Sequence, residues 1–367
     1  MARRARRGSG WIGLLLAILW LSGCATSTER GVFQMGINLP QDSAELMWPP
    51  LQDGETPRFV YVGELTGEAN FRKPGAAEGA GGFMRWLIDL VTGERVPIIL
   101  QRPQSGVIDE DGRILVTDSS RQAVFVFDTQ QGRLDVWQNA AGLTRFKAPA
   151  GIATGPGGEV FVADAALGLV ARLDREGRSL GAIGKGELQR PVGVALDATK
   201  NELYVADTYA HEIKVFDIQG ALLRTLGRRG ESASSFNYPT YLALNQDELY
   251  VVDTMNAQVK VVDNETGQPL RVIGRRGLNV GDFVRPKGVA LDGEGNVYVV
   301  ESYHDHLLIF NQEGEFLLPI GGTGQRAGQF YLPAGVWTDG RNRIYVADMF
   351  NGRVSVFQFL GGKDDGE

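Results

Sequence analysis

The stretch from residue 190 to residue 227, RPVGVALDATKNELYVADTYAHEIKVFDIQGALLRTLG, decides the fold. It contains four short apolar runs, at residues 192–196, 203–206, 213–216 and 222–226, each rich in β-branched or aromatic residues. Proline, glycine, aspartate and asparagine separate the runs, which is the punctuation expected between strands. Strands joined only by turns predict a four-stranded antiparallel meander.

The same pattern recurs along most of the chain. An acidic residue closes the second strand of each repeat at spacings of 43 to 48 residues: Asp118, Asp164, Asp207, Asp253, Glu301 and Asp348. The sequences that end in this acid are ILVTD, VFVAD, LYVAD, LYVVD, VYVVE and IYVAD. A fixed period of this size marks arrays in which each repeat is one blade. The sequence therefore predicts an all-β fold, a six-bladed β-propeller of four-stranded antiparallel blades.

The repeat also resembles a known family. Its consecutive motifs are PVGVA at residues 191–195, YVADT at 204–208 and IKVFD at 213–217, and a later repeat ends its fourth strand with Ile273-Gly274. These motifs are similar to those of the NHL-repeat family of six-bladed β-propellers. The resemblance implies the fold but not one activity, because the family holds binding domains, sensor domains and a few metal-dependent enzymes. The site must be argued from its own residues.

The ring needs a strand from outside the repeats. The sixth repeat ends at residues 354–359 without a fourth strand, whereas residues 58–63, RFVYVG, form a lone strand outside the repeats. We expect this N-terminal strand to complete the last blade and close the ring. Closure removes the exposed edges that an open array would leave. The propeller is then predicted to span residues 58–360.

The N-terminus has the character of an export signal. Four arginines among residues 3–7 precede an apolar core at residues 11–21 that is short for a membrane span. The sequence LSGC at residues 21–24 resembles a bacterial lipoprotein signal-peptidase site, which implies removal of residues 1–23 and acylation of Cys24. Ala25, in place of aspartate, implies sorting to the outer membrane, facing the periplasm. An ordinary signal peptide with an incidental cysteine, or twin-arginine export, remains an alternative.

The charge and cysteine content of the chain limit the classes of partner and cross-link that can be expected. Removal of residues 1–23, which carry four arginines and no acid, takes the formal net charge from −7 to −11. An acidic chain in an envelope compartment is a poor ligand for nucleic acid, so we expect none. Cys24 is the single cysteine, so an intramolecular disulfide is impossible. We predict no cofactor.

Three segments lie outside the repeats. Residues 24–57 hold several prolines and no sustained periodicity, which favours a tether. Residues 75–95 form an insertion whose apolar side chains fall on one helical face: Phe83, Trp86, Leu87, Leu90 and Val91. We expect one inserted helix against the rim of the propeller, with a lid, a docking helix or membrane contact as alternatives. Residues 361–367 form a short acidic tail.

Two sets of polar residues invite a catalytic or metal-binding interpretation. The recurring acids are expected to accept hydrogen bonds from the N–H groups of the turn that follows them, because a catalytic residue need not recur in every blade. A ring of acids that binds a cation is the alternative. The histidines, His211, His304 and His306, are expected to be exposed turn residues. Metal binding by these histidines is the alternative that the family resemblance implies, because its lyase branch has a zinc site on three histidines.

A second pattern favours a binding surface. Two residues after the acid, four neighbouring repeats carry a large side chain in a turn: Tyr209, Met255, Tyr303 and Phe350. These residues would form a partly apolar arc on the top face, or would alternatively pack inward. Basic residues are predicted in the loops beside them: Lys185, Arg228, Arg229, Arg275, Arg276, Arg285 and Lys287. They favour an anionic ligand or acidic partner, unless they pair with acids on the same face.

The sequence therefore predicts a membrane-anchored propeller scaffold that binds an envelope protein or peptide through its top face. A metal-dependent lyase or lactonase is one alternative, and stoichiometric bound metal lost on substitution of His211 or His304 would favour it. An envelope sensor of a small anionic or glycan ligand is the other alternative.

Overall fold

The computed structural model of the chain describes residues 31–36, 46–50, 55–72 and 97–361. The predicted signal peptide, Cys24, most of the tether, the helix of the insertion and all but the first residue of the tail lie outside the described residues. None of the helices in the described ranges has the length and apolar character that a membrane crossing needs.

Blades 1 to 3 are four-stranded antiparallel sheets, and chain order runs from the inner strand to the outer strand. Blade 1 consists of Pro103–Ile108, Ile114–Asp118, Ala123–Asp128 and Arg133–Trp137. Blade 2 consists of Pro149–Thr154, Val160–Asp164, Leu169–Leu173 and Ser179–Ile183. Blade 3 consists of Pro191–Asp197, Glu202–Asp207, Glu212–Asp217 and Leu222–Leu226.

Blades 4 and 5 have the same order, and blade 6 takes its outer strand from the N-terminal part of the chain. Blade 4 consists of Pro239–Asn245, Glu248–Asp253, Gln258–Asp263 and Pro269–Ile273. Blade 5 consists of Pro286–Leu291, Val297–Glu301, His306–Phe310 and Phe316–Gly321. Blade 6 consists of Val336–Thr338, Arg343–Asp348, Arg353–Phe359 and the outer strand Phe59–Leu65. The predicted all-β, six-bladed architecture is confirmed.

The closing strand pairs antiparallel with the last strand of the repeats, as expected from its sequence. In the register, Val356 lies opposite Gly63 and Phe357 opposite Tyr61. The short strand Met47–Trp48 then covers the free edge of the closing strand, and the Trp48 ring lies 5.5 Å from the ring of Phe357 in an edge-to-face arrangement. The ring is thereby closed by hydrogen bonds and by apolar contact.

Short strand pairs and 3-10 helices lie outside the blade strands. Val32–Phe33 pairs with Phe71–Arg72, and Asn139–Ala141 forms a small hairpin with Thr144–Arg145. Among the described residues there are also four single-turn 3-10 helices: Glu68–Asn70, Pro156–Gly158, Thr254–Asn256 and Met349–Asn351. Two of them, Thr254–Asn256 and Met349–Asn351, follow the acid of their blade directly.

The hydrophobic core lies between blades. Successive side chains of a strand point to opposite faces of its sheet, so each blade contributes to the core on both sides. One cluster, for example, joins Phe161 and Val170 of blade 2 to Val205 and Phe216 of blade 3. This two-sided burial explains why the second strands are continuous apolar runs such as VFVAD rather than alternating ones.

Four tyrosines reinforce blades 3 to 6. Tyr204, Tyr250, Tyr298 and Tyr345 are fully buried in the second strands of these blades. Each hydroxyl donates to a nearby carboxylate, with distances of 2.7 to 3.0 Å: Glu202, Glu248, Asp292 and Asp339. The partner satisfies the buried phenol, which would otherwise cost free energy.

Candidate functional site

The top face of the propeller is the face that carries the loops entering the inner strands and the turns between second and third strands. The recurring acid of each blade joins these two elements. Asp118 Oδ1 accepts the N–H groups of Ser120 and Arg121 in the turn, at 3.0 and 2.9 Å. Its Oδ2 accepts the N–H groups of Gln101 and Arg102 in the incoming loop, at 2.6 and 2.9 Å. The expected bonds to the turn are confirmed here, and the bonds to the loop are an additional finding.

We call this arrangement of acid and bound N–H groups the latch. The other acids each accept an N–H group from their own incoming loop: Asp164 from Lys147 at 2.6 Å, Asp207 from Arg190 at 2.8 Å, Asp253 from Asn237 at 2.6 Å, Glu301 from Val284 at 2.7 Å and Asp348 from Tyr331 at 2.8 Å. All six acids are buried. The latch therefore holds the incoming loop of every blade, and in blades 1, 2 and 5 it also holds the turn that follows the acid.

Three latch acids also bind a cation from the third strand of the same blade. Lys214 Nζ lies 3.1 Å from Asp207, Lys260 Nζ lies 2.8 Å from Asp253, and Arg353 Nε lies 2.8 Å from Asp348. Lys260 is 1 % exposed, and its ammonium also donates to the carbonyl oxygens of Ser232 and Ser235 at 2.8 and 2.6 Å. These cations are structural, because their donors are directed at groups of the fold.

The four large residues of the predicted arc are substantially exposed. The exposed fraction is 55 % for Tyr209, 49 % for Met255, 60 % for Tyr303 and 46 % for Phe350. They are therefore not packed inward, which was the alternative. We keep the name apolar arc for these four residues. Their role in binding stays a prediction.

Sequence reasoning missed two aromatic residues beside the arc. Tyr238 lies 6.1 Å from Tyr209 between ring centroids, and Tyr331 lies 5.5 Å from Phe350. Both pairs are edge-to-face, and both added tyrosines are exposed. A signal was present, because Tyr238 directly precedes Pro239 at the start of the inner strand of blade 4, and Tyr331 comes two residues before Pro333 in the loop that enters blade 6.

Sequence reasoning also missed two arginines at the same level. The guanidinium carbon of Arg190 lies 5.1 Å from the ring centroid of Tyr209, and that of Arg102 lies 5.1 Å from the ring centroid of Phe350. Both arginines directly precede the proline of an inner strand, as does Arg285. These positions belong to blades 1, 3 and 5, so the arginines alternate around the ring.

The predicted basic residues divide into paired and unpaired groups. Arg275 Nε lies 2.9 Å from Asp282, and Arg276 donates to the carbonyl oxygen of Met255 at 2.6 Å. Arg228 and Arg229 are exposed and form no ion pair with a described residue. The alternative of pairing on the same face thus holds for Arg275 alone among these four residues, as far as the described ranges extend.

Lys287 is not in a loop, contrary to the prediction. It is the second residue of the inner strand Pro286–Leu291, because the strand begins directly at the proline. Its side chain is partly buried. Burial and the neighbouring charge of Arg285 hold the pKa of the Lys287 ammonium below its usual value.

The expectation of exposed histidines was wrong for His211. Its side chain is 6 % exposed, and its ring lies 4.4 Å from the ring of Tyr238. His211 Nδ1 accepts the N–H of Tyr238 at 3.2 Å, so this residue links blade 3 to the loop entering blade 4. Burial and the charge of Arg229 lower the pKa of His211. The neighbouring blade covers the turn, which no local pattern could reveal.

The other two histidines lie in blade 5 and are half-buried. The ring of His304 contacts the ring of Tyr303 at 5.1 Å between centroids, and burial lowers the pKa of His306. The histidines of blades 3 and 5 are thus separated by blade 4. No group of three or more His, Cys, Asp or Glu side chains suited to a metal occurs among the described residues.

The centre of the ring is closed by one side chain. The hydroxyl of Tyr241, on the inner strand of blade 4, donates to the carbonyl oxygen of Gln104 on blade 1, at 2.9 Å. Blades 1 and 4 are opposite in a ring of six, so Tyr241 spans the central channel. In blades 2, 3, 5 and 6 the equivalent residue is glycine, and in blade 1 it is Ser105. A Cβ at Gly193 would lie 2.3 Å from the carbonyl oxygen of Thr240, so the inner strands could not approach so closely with a larger residue.

Comparison with known proteins agrees with this architecture. The NHL-repeat model matches residues 188–216, and a model described as a 6-bladed beta-propeller matches residues 291–364. The chain is 37 % identical over 91 residues to NHL repeat-containing protein 2 of Homo sapiens, and 32 % identical over 171 residues to that of Bos taurus. These alignments cover 22 and 37 % of this chain, and 12 and 23 % of the length of the relatives.

Solved structures show the same fold at low sequence identity. Virginiamycin B lyase from Staphylococcus aureus superposes with a TM-score of 0.52 at 12 % identity, covering 71 % of this chain and 95 % of that one. A gluconolactonase from Xanthomonas campestris gives a TM-score of 0.55 at 15 % identity, with coverage of 71 and 86 %. The chain is thus a six-bladed β-propeller. Within that class, it is similar to the propellers built of NHL repeats over the part of its length that the NHL-repeat model matches.

Proposed function

We propose that this propeller is an envelope scaffold that binds a protein or peptide through its top face. The observation that carries the proposal is the apolar arc. Four large side chains, each about half exposed, lie on turns that directly follow a buried latch acid. Exposed apolar groups on a rigid frame with a polar and charged surround are typical of interaction surfaces.

The arc resembles a protein interface in composition as well as in exposure. Tyrosine, methionine, phenylalanine and arginine are enriched at the centres of interfaces. Here Arg190 stacks on Tyr209 and Arg102 stacks on Phe350. Stacking restricts both side chains before a partner arrives, which lowers the entropy lost on binding.

Attachment to the membrane is part of the proposal. It is supported by the arginine-rich N-terminus, the apolar segment and the LSGC sequence that ends at Cys24. We propose a lipoprotein that faces the periplasm, in the outer membrane. Replacing Cys24 by serine should shift the protein out of the membrane fraction, and its unchanged presence there would contradict lipid anchoring.

Site-specific photo-crosslinking in native membranes tests the binding surface. A photoreactive amino acid replaces Tyr303 on the top face or, as a control, the exposed Glu294, which follows the inner strand on the opposite face. We expect a discrete adduct from position 303 and none from position 294. Equal labelling from both positions, or no adduct from position 303, would contradict the proposal.

A further inference from the structure

We propose that the centre of the top face is a carboxylate-binding pocket, which receives an acidic segment of the protein or peptide partner. This inference rests on the proposed function and specifies the chemistry of the partner. The pocket consists of Arg102, Arg190, Arg285 and Lys287, which we call the channel mouth.

The first step is that Lys287 carries a charge at a position of the inner strand that is otherwise uncharged. The residue after the inner-strand proline is neutral in the other blades: Gln104, Ala150, Val192, Thr240 and Ala334. Lys287 thus places a single ammonium in the innermost layer of the ring. Tyr241, which closes the channel, lies one residue deeper in its own strand than the position equivalent to Lys287. A ligand above Lys287 would therefore bind in a closed pocket and could not pass through.

The second step is the absence of a counter-ion. The cations Lys214, Lys260 and Arg353 each lie 2.8 to 3.1 Å from a latch acid. Lys287 forms no ion pair with a described residue, and the charged group that acts on it is Arg285, of the same sign. A partly buried ammonium without an acid is costly, and a bound anion would offset that cost.

The third step is the arrangement of the arginines. Arg102, Arg190 and Arg285 precede the inner-strand prolines of alternate blades, so three basic residues lie at the entry to the inner strands on three sides of the ring. Their backbone N–H groups are held by latch acids, but their guanidinium groups form no ion pair with any residue in the described ranges. The rings of Phe350 and Tyr209 support two of them from one side.

The chemistry of the mouth selects its occupant. A planar guanidinium matches the two oxygens of a carboxylate, and several such groups around one ammonium suit a run of acidic side chains. The apolar arc lies on blades 3 to 6 of the same face and offers contacts to the rest of a peptide. We therefore assign the pocket to an acidic peptide segment rather than to a free small anion.

The test uses purified, lipidated full-length protein in detergent micelles and fluorescence anisotropy. The probes are fluorescein-labelled hexaglutamate and, as a matched neutral peptide, hexaglutamine. Citrate serves as a free small anion in competition. The variants are Lys287→Met and Arg285→Gln at the mouth, and Arg341→Gln as a control that removes one exposed positive charge outside the mouth.

We expect wild-type protein to bind hexaglutamate but not hexaglutamine, with weaker binding at higher salt. Each mouth variant should weaken binding roughly tenfold or more, and Arg341→Gln should leave it unchanged. A melting temperature no lower than that of the wild type establishes that a variant is folded. If Lys287→Met does not fold, Arg285→Gln still tests the inference, because Arg285 is exposed.

Three results would overturn the inference. Hexaglutamate could fail to bind, Arg341→Gln could weaken binding as much as the mouth variants, or citrate could bind more tightly than the peptide. The last result would indicate a receptor for a free anion. If any of these results occurred while the crosslink from position 303 persisted, the carboxylate-binding pocket would be wrong but the proposed scaffold function would not. The failure of the pocket can therefore be distinguished from the failure of the proposed function.

Discussion

The latch and the channel mouth lie next to each other on the top face and differ in how their cations are paired. In the latch, Lys260 is 1 % exposed and bonds to Asp253 and to two carbonyl oxygens. In the mouth, Lys287 is partly buried and has no acid near it among the described residues. The comparison teaches that a charged residue found in every repeat, such as the latch acid, has a structural role. A charged residue found once on the inner strands, such as Lys287, is a candidate for binding.

The largest loss of stability is expected from removing a cation that pairs with a latch acid. Lys260→Met leaves the buried carboxylate of Asp253 without its cation, which should lower the free energy of unfolding by about 3–5 kcal/mol. Urea denaturation followed by tryptophan fluorescence measures this change. Lys287→Met is the matched control and should not lower the free energy of unfolding, because it removes a partly buried ammonium that has no paired acid among the described residues. Equal effects of the two substitutions would remove the distinction between latch and mouth.

A smaller effect is expected at the floor of the mouth. Tyr241→Phe removes the hydroxyl that donates to the carbonyl oxygen of Gln104 across the channel. The loss of one buried hydrogen bond should cost about 1 kcal/mol in the same denaturation experiment. Tyr298→Phe, which removes a hydroxyl bonded to Asp292 within one blade, is a comparison variant. If Tyr241→Phe left the free energy of unfolding unchanged, the result would argue against a closed channel.

The pH dependence of stability provides a third, smaller effect. The pKa of His211 is lowered by burial and by Arg229, while Asp253 and Glu212 act in the opposite direction. The unfolded chain therefore binds a proton at higher pH than the folded protein. The stabilisation is present above the ordinary value of 6.5 and is lost as the pH falls toward the folded pKa.

Denaturation at about pH 7.5 and about pH 5.5 measures this dependence in wild type and His211→Asn. Asparagine tolerates the left-handed backbone of residue 211, where φ is 61°, and retains an acceptor oxygen. The loss of stability on acidification should be smaller in the variant. His306 contributes equally to both proteins, so an identical pH dependence would contradict the assignment to His211.

The smallest effect on stability is expected on the apolar arc. Tyr303→Ser removes a side chain that is 60 % exposed. The free energy of unfolding should change by less than about 0.5 kcal/mol. Partner capture from native membranes should nevertheless fall. A large loss of stability would instead assign Tyr303 to the fold.

The fold could be predicted because each blade repeats the same local requirements. The closing strand was predictable too, because residues 58–63 and the incomplete sixth repeat each lacked a partner. The site was only partly predictable. Exposure of Tyr209, burial of His211 and isolation of Lys287 all depend on how a neighbouring blade covers a turn or strand. The stacking of Arg190 on Tyr209 and of Arg102 on Phe350 could not be predicted, because only the fold brings these sequence-distant residues together.

The most direct test combines the arc with the mouth. The photoreactive amino acid at position 303 is used in native membranes in three backgrounds: otherwise wild type, Lys287→Met and Arg341→Gln. We predict the same discrete adduct in the wild-type and Arg341→Gln backgrounds, and its loss or strong reduction with Lys287→Met. An adduct of equal yield in all three backgrounds would contradict the claim that the unpaired cations of the channel mouth hold the partner on the top face.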